Sequence, residues 1–281
     1  MRFSASFISV LLLSVACKPP PDAPKELGEL TLFFFENFDS ENVADLDAGT
    51  LNMEEYIKSL DLDAKINDRA VTLPKLAESN LGNIAPTIGA VLSEQVPVGV
   101  SAASNFDFET SLKVVPETNY ICLDSATSKF SERTFLTDLD CFMDGSCETL
   151  STSQWVRKES ALGKVWFQLF RDYRRLTLED GREVMHARTF MEKSYKTDSD
   201  KGAWEQNYAY ETWIADGGRT LRFFALWSSV DLALVGDDGW AVLVKDGIDE
   251  SMQYTDEFLS GTSFDDYCKV DRNPDDLSPP S

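Results

Sequence analysis

The sequence predicts an α+β fold: an antiparallel β-meander sheet with N-terminal helices and a C-terminal helix packed on one side. Three observations point to it. Between Lys164 and Val230, four long segments of alternating apolar and polar residues are joined by turn-forming stretches that include "EDGR" and "ADGGR". Ahead of them, Leu27, Leu30, Phe34 and Phe38 recur near helical spacing. Behind them, Trp240, Val244, Ile248 and Met252 recur every four residues. Helices, then strands, then a helix is the order of an α+β architecture.

The first segment, residues 1–16, reads as a signal peptide. Met1 and Arg2 bring positive charge, and Phe7 to Ala16 is apolar but, at about ten residues, too short to span a bilayer. Ser14 and Ala16 supply the small residues that a signal peptidase reads, and Cys17 follows the cut. The stretch Leu13-Ser14-Val15-Ala16-Cys17 resembles the lipobox of bacterial lipoproteins, with Ser14 at the leucine position of that pattern and Leu13 one residue earlier. The resemblance implies lipid attachment at Cys17: a diacylglyceryl group on the thiol and an acyl chain such as palmitate on the freed amine. It also implies a lipid anchor in the membrane of the cell envelope. Lys18 in place of an inner-membrane retention aspartate points to the outer membrane. A free secreted protein, cut at the same bond, is the alternative. Residues 17–25 then form the lipidated cysteine and a proline-rich spacer that would hold a domain off the surface.

Residues 26–97 read as a mainly helical region. Pro24 precedes the first helix, where proline suits an opening turn. "NMEEYIKSL" reads as a second helix, capped by Asn52 with Glu55 three residues on, after a break at Gly49. Ser79 to Val96 is ambiguous, with room for a short helix after Pro86. Residues 98–268 read as the antiparallel sheet plus the C-terminal helix. Phe106, Phe108, Thr110, Leu112 and Val114 alternate as a half-buried strand does, and "NYICL" reads as another. "KVWFQLFRDYRRLTL", "EVMHARTFMEKSY", "WEQNYAYETWI" and "RTLRFFALWSSV" form the meander, with Asp180-Gly181 at the tip of its first turn. The closing helix has Gly247 as a point of interruption. Residues 269–281 read as an acidic flexible tail. A curved sheet closed by a terminal helix is similar in element order to START-like, or helix-grip, domains, an analogy of layout alone.

Composition narrows the partners. A formal charge of −22 repels nucleic acid and anionic surfaces, while 18 phenylalanines supply a sizeable core. The basic stretch "RDYRR", Arg171 to Arg175, reads as a solvated strand face, so no nucleic-acid partner is expected.

Removing Cys17 from five cysteines leaves an even number, suited to disulfides in an oxidising compartment. Cys141 and Cys147 enclose the turn-like "FMDGS" and are paired here, which leaves Cys122 with Cys268. Two other pairings exist, and a zinc site would lack any CxxC spacing. His186, the single histidine, lies mid-strand and reads as structural; no GxSxG elbow accompanies it. "DSDKGAWE", Asp198 to Glu205, has the look of a calcium loop but fails the EF-hand pattern and reads as a hairpin loop. No P-loop or GxGxxG occurs. No catalytic residue, metal or cofactor is therefore assigned.

The aromatic faces of the meander are the strongest hint of function. Trp204, Tyr208 and Tyr210 on one strand and Phe223 and Trp227 on its neighbour form either a solid core or the wall of an apolar pocket. The expected function is that of a non-enzymatic, membrane-anchored lipoprotein binding a hydrophobic small molecule or lipid, with those five residues as the candidate pocket wall. The alternative is a structural module that docks another envelope protein.

Overall fold

The first helix, α1 (Leu27–Glu36), buries Leu30, Phe34 and Phe35, the residues that helical spacing brings to one side. In the computed structural model, residues 22–124, 128–160, 163–199, 202–232, 236–263 and Pro279 are described. The expected signal peptide with Cys17, the residue Cys268 and nearly all of the acidic tail lie outside them. Helix α2 (Val43–Lys58) starts nine residues before the expected "NMEEYIKSL" segment. Gly49 does not break it: a β-carbon there would stand 3.0 Å from Phe34 Cζ, so glycine lets the two helices approach. Asn52 is mid-helix instead of a cap, and its Nδ2 donates to the carbonyls of Pro24 and Ala23 at the end of the spacer.

The remaining elements follow in chain order: α3 (Ile66–Arg69), β1 (Ala70–Thr72), β2 (Val96–Ser104), α4 (Phe108–Ser111), β3 (Ser128–Phe135), α5 (Leu139–Met143), β4 (Thr149–Ser160), β5 (Gly163–Thr177), β6 (Glu183–Phe190), β7 (Tyr195–Lys196), β8 (Gly202–Asp216), β9 (Arg219–Leu232) and α6 (Asp237–Leu259). Among the described residues, nine strands make one antiparallel sheet in the order β1-β2-β9-β8-β6-β5-β4-β3, with β7 paired to β8. The four long strands read from the sequence are β5, β6, β8 and β9. The turn before β6 carries Gly181 at φ +84°, which a residue with a side chain rarely adopts. Strand β2 opens at Val96, so the boundary expected at residue 98 falls inside a strand.

Three local expectations are corrected. Phe106 to Val114 is not a strand: Asp107 caps α4 by accepting the Thr110 N–H, and a 3₁₀ turn follows at Leu112–Val114. Phe108, Ser111, Leu112 and Val115 are all buried, and their spacing suits a helical turn as well as the alternation suits a strand. "NYICL" holds a 3₁₀ turn at Tyr120–Cys122. After Pro86 there is only a 3₁₀ turn, Leu92–Glu94. Helix α6, by contrast, runs unbroken through Gly247.

The α+β class, the large antiparallel sheet and the C-terminal helix stand as expected, but the helices do not share one side. On β9, Leu221, Phe223, Ala225 and Trp227 face α1 and α2. Phe224 and Leu226 point the opposite way and pack with Val98 and Val100 under Trp240, Val244, Ile248 and Met252 of α6. Because β9 is apolar on both faces, it requires a cover on each. The α1–α2 side is called the front face below, and the α6 side the back face. Among the described residues, no helix is long and apolar enough to cross a membrane.

Candidate functional site

Four of the five residues expected to wall a pocket form solid core. Phe34 stacks on Tyr210 with ring centroids 5.1 Å apart, and Phe35 meets Tyr208 and Trp227 edge-on at 5.9 and 5.7 Å. Phe223 packs in the same cluster. Side chains of α1 thus occupy the space in front of these residues. Their polar atoms are also spoken for: Trp227 Nε1 donates to the Pro74 carbonyl, and the Tyr208 hydroxyl accepts the Thr87 N–H. The fifth, Trp204, is on the back face. A register shift between Trp204 and Gln206 inserts one residue into β8 and reverses the alternation beyond it. Trp204 therefore stacks on Phe167 and meets Trp240 of α6.

His186 belongs to the front core, stacked on Phe34, with Nδ1 bonded to the Tyr210 hydroxyl and Nε2 within reach of Thr50 Oγ1 at 3.3 Å. Burial, with Arg174 nearby, pushes it down to about pH 3, so the ring is neutral at physiological pH. Cys141 and Cys147 are joined as expected. Cys122 is also disulfide-bonded, and its expected partner Cys268 lies outside the described residues. In the calcium-like loop, the Asp198 carboxylate accepts the Lys164 N–H, while residues 200–201 lie outside the description.

The back face holds the feature that the sequence did not disclose. On the front face, one continuous apolar cluster joins α1 and α2 to the sheet. On the back face, the buried apolar residues among those described fall into three clusters, two of which meet at Trp204. Polar residues lie between them: Arg133 on β3, Thr152 and Gln154 on β4, Arg171 on β5, Thr189 on β6, and Glu211 and Arg222 on β8 and β9, all buried or nearly so. Thr152, Arg171, Thr189 and Ala209 stand in one cross-strand row. Leu150, Tyr173, Ala187, Glu211 and Phe224 stand in the next. Ala187 and Thr189 are small, so Arg171 reaches across β6 to Glu211, Nη2 to Oε1 at 2.8 Å. "RDYRR" is thus no solvated face: Arg171 and Tyr173 point into the back-face core, and Arg174 is buried on the front.

Three guanidinium groups converge here, each against an aromatic ring. Arg171 lies 4.8 Å from the centroid of Tyr173, Arg222 4.7 Å from Trp213, and Arg133 4.0 Å from Tyr120 and 5.6 Å from Tyr173. Glu211 also accepts from Trp213 Nε1 at 3.3 Å. Asp256 of α6, held by Ser104 Oγ, stands 3.8 Å from Arg222. Burial works against the charge on Arg171, yet the Glu211 carboxylate more than restores it and holds its pKa raised. For Arg222 burial wins, and its pKa is lowered despite Glu211 and Asp256. Burial likewise raises Asp256 and Tyr173.

Arg133 differs from its neighbours. It is 2% exposed, its Nη1 donates to the Val115 carbonyl, and its Nη2 makes a long contact of 3.5 Å with Gln154 Oε1. Among the described residues no carboxylate lies within ion-pair distance of it. Its Nε, like those of Arg171 and Arg222, has no hydrogen-bond partner among the described residues. Ring contacts return roughly 0.5–2 kcal/mol each, whereas taking an ion out of water costs several kcal/mol. The rings alone leave Arg133 undercompensated.

In sequence, the chain matches no family model and no curated protein. Solved structures match this chain only at low identity and low TM-score. A STAR-related lipid transfer protein from Xanthomonas axonopodis is 8% identical with a TM-score of 0.42, covering 62% of this chain and 90% of that one. A START superfamily protein from Mycobacterium smegmatis is 12% identical, TM-score 0.38, over 59% and 99%. An aromatase/cyclase from a Streptomyces species is 11% identical, TM-score 0.36, over 59% and 94%. At these TM-scores the likeness assigns neither ligand nor chemistry.

Proposed function

We propose that the protein is a non-enzymatic binder of a hydrophobic or amphipathic ligand, a lipid included, held between α6 and the back face of the sheet. The division of the back-face core into three apolar clusters around buried polar groups, two of the clusters bridged by Trp204, carries this reading. The front face, by contrast, holds one continuous apolar cluster, with His186, Arg174 and Arg188 buried beside it. The candidate wall shifts accordingly, from Tyr208, Tyr210, Phe223 and Trp227 to Phe167, Tyr173, Trp213 and Phe224, with Trp204 retained. His186, sealed in the front core with both nitrogens engaged, is not placed to act as a base.

The same proposal includes export and anchoring through Cys17, in the outer membrane, on the strength of the lipobox-like leader and proline-rich spacer. Docking to another envelope protein is the lesser reading. The large exposed apolar residues are spread over α2 (Val43, Leu51), two loops (Ile88, Val91; Leu136) and α6 (Val242, Leu243).

Expression of the full chain with its leader in a double-membraned bacterium, followed by native mass spectrometry and solvent extraction, tests both parts. The expected outcome is a triacylated amino terminus at Cys17 and a co-purifying apolar molecule released by extraction. An unmodified Cys17 would overturn the anchor. A ligand-free protein that also fails to take up a fatty-acid probe would overturn the binding reading.

A further inference from the structure

A buried cation without a counter-ion among the described residues says what kind of ligand the back face takes. We infer that Arg133, with Arg171 and Arg222 beside it, receives the anionic headgroup of an amphipathic ligand, a carboxylate or phosphate whose tail lies along the neighbouring apolar clusters. This rests on the binding function proposed above and adds the headgroup's chemistry to it.

Four observations carry it. The chain has 48 acidic side chains against 26 basic ones, so a buried arginine without a carboxylate does not reflect a shortage of acids. Arg133 and Arg171 both stand over the ring of Tyr173, which sets their guanidinium groups in one neighbourhood. The Nε–H groups of Arg133, Arg171 and Arg222 have no hydrogen-bond partner among the described residues, a property shared with Arg174 and Arg188 on the front face, which lie outside this cluster. The acids that do reach the cluster, Glu211 and Asp256, are committed to Arg171 and Arg222. A planar guanidinium whose Nε–H and terminal N–H lie side by side suits an oxyanion in two-point contact. The apolar lining for a tail is adjacent: Val156, Val165, Phe167 and Met191 form a buried cluster on β4, β5 and the end of β6.

The test uses the delipidated full chain and tails of one length: oleate, oleyl phosphate, oleyl alcohol, and inorganic phosphate alone. Affinities are measured by calorimetry for the wild type, Arg133→Gln and Arg133→Lys, with circular dichroism to confirm folding. The inference expects oleate or oleyl phosphate to bind at least about tenfold more tightly than the alcohol. It expects Arg133→Gln to erase that preference and Arg133→Lys to keep part of it. Equal affinity for anionic and neutral tails would overturn the inference while leaving the apolar binding function in place. Failure of every tailed compound to bind would overturn both. Phosphate alone binding as well as oleyl phosphate would support the anion site and remove the tail from it. If Arg133→Gln does not fold, the wild-type headgroup series and Arg133→Lys still decide.

Discussion

The guanidinium of Arg171 meets the carboxylate of Glu211 across β6 at 2.8 Å, with both side chains shielded from water. Such a pair stabilises little against an apolar substitute, but breaking it strands a charge. Glu211→Gln should therefore cost about 3–5 kcal/mol, read from urea unfolding. The double replacement Arg171→Leu with Glu211→Leu should cost less than either single change. A Glu211→Gln chain as stable as the wild type would contradict the buried pair.

Acid should act on the protein through His186. Its folded pKa of about 3 lies below the unfolded value of 6.5, so the unfolded chain takes up a proton that the folded chain refuses. Stability from this group is intact above pH 6.5 and falls as pH drops toward 3, by about 1.4 kcal/mol per unit. Unfolding measured at pH 7, 6, 5 and 4 should show a shallower decline in His186→Asn than in the wild type. Parallel declines would mean that the imidazole titrates freely.

The front face should behave as core. Phe34→Ala removes a ring stacked on both Tyr210 and His186 and should cost about 3–5 kcal/mol. Gly49→Ala forces a methyl against the same ring and should cost about 1–3 kcal/mol. Neither change should alter the headgroup preference of a bound probe, because both lie across the sheet from Arg133.

Peptide mapping without reduction should recover Cys141 joined to Cys147 and Cys122 joined to Cys268. Replacing Cys141 and Cys147 by serine should cost about 2 kcal/mol, since the bridge closes only a short loop. A peptide joining Cys122 to Cys17 would refute both the second pairing and the lipid anchor.

What the sequence made legible follows from where its inward residues are apolar. Strands β5, β6, β8 and β9 carry Phe167, Met185, Tyr210 and Phe223 at alternate positions, and the period is plain. Strands β3 and β4 were missed because the middle of their back face is made of Ser131, Arg133, Thr152 and Gln154, which hide a buried face behind polar letters. The same residues form much of the candidate site, so the reason the strands were invisible is the reason the site exists. One signal was available: in "RDYRR", arginine alternates with tyrosine inside a strand covered on both sides, which favours buried pairing over solvation. The reversal of Trp204 depends on a single inserted residue in β8, and alternation read without the bulge puts it on the wrong face.

The long reach between α1 and the end of the sheet bears on how the chain is made. Phe34 and Phe35 find their partners at Tyr208, Tyr210 and Trp227, so most of the polypeptide must leave the ribosome before they are covered. Until then the nascent chain presents three consecutive phenylalanines, Phe33 to Phe35, to solvent. Fragments that stop before β9 should clump during synthesis, and a holding chaperone would engage the newborn chain at its first helix.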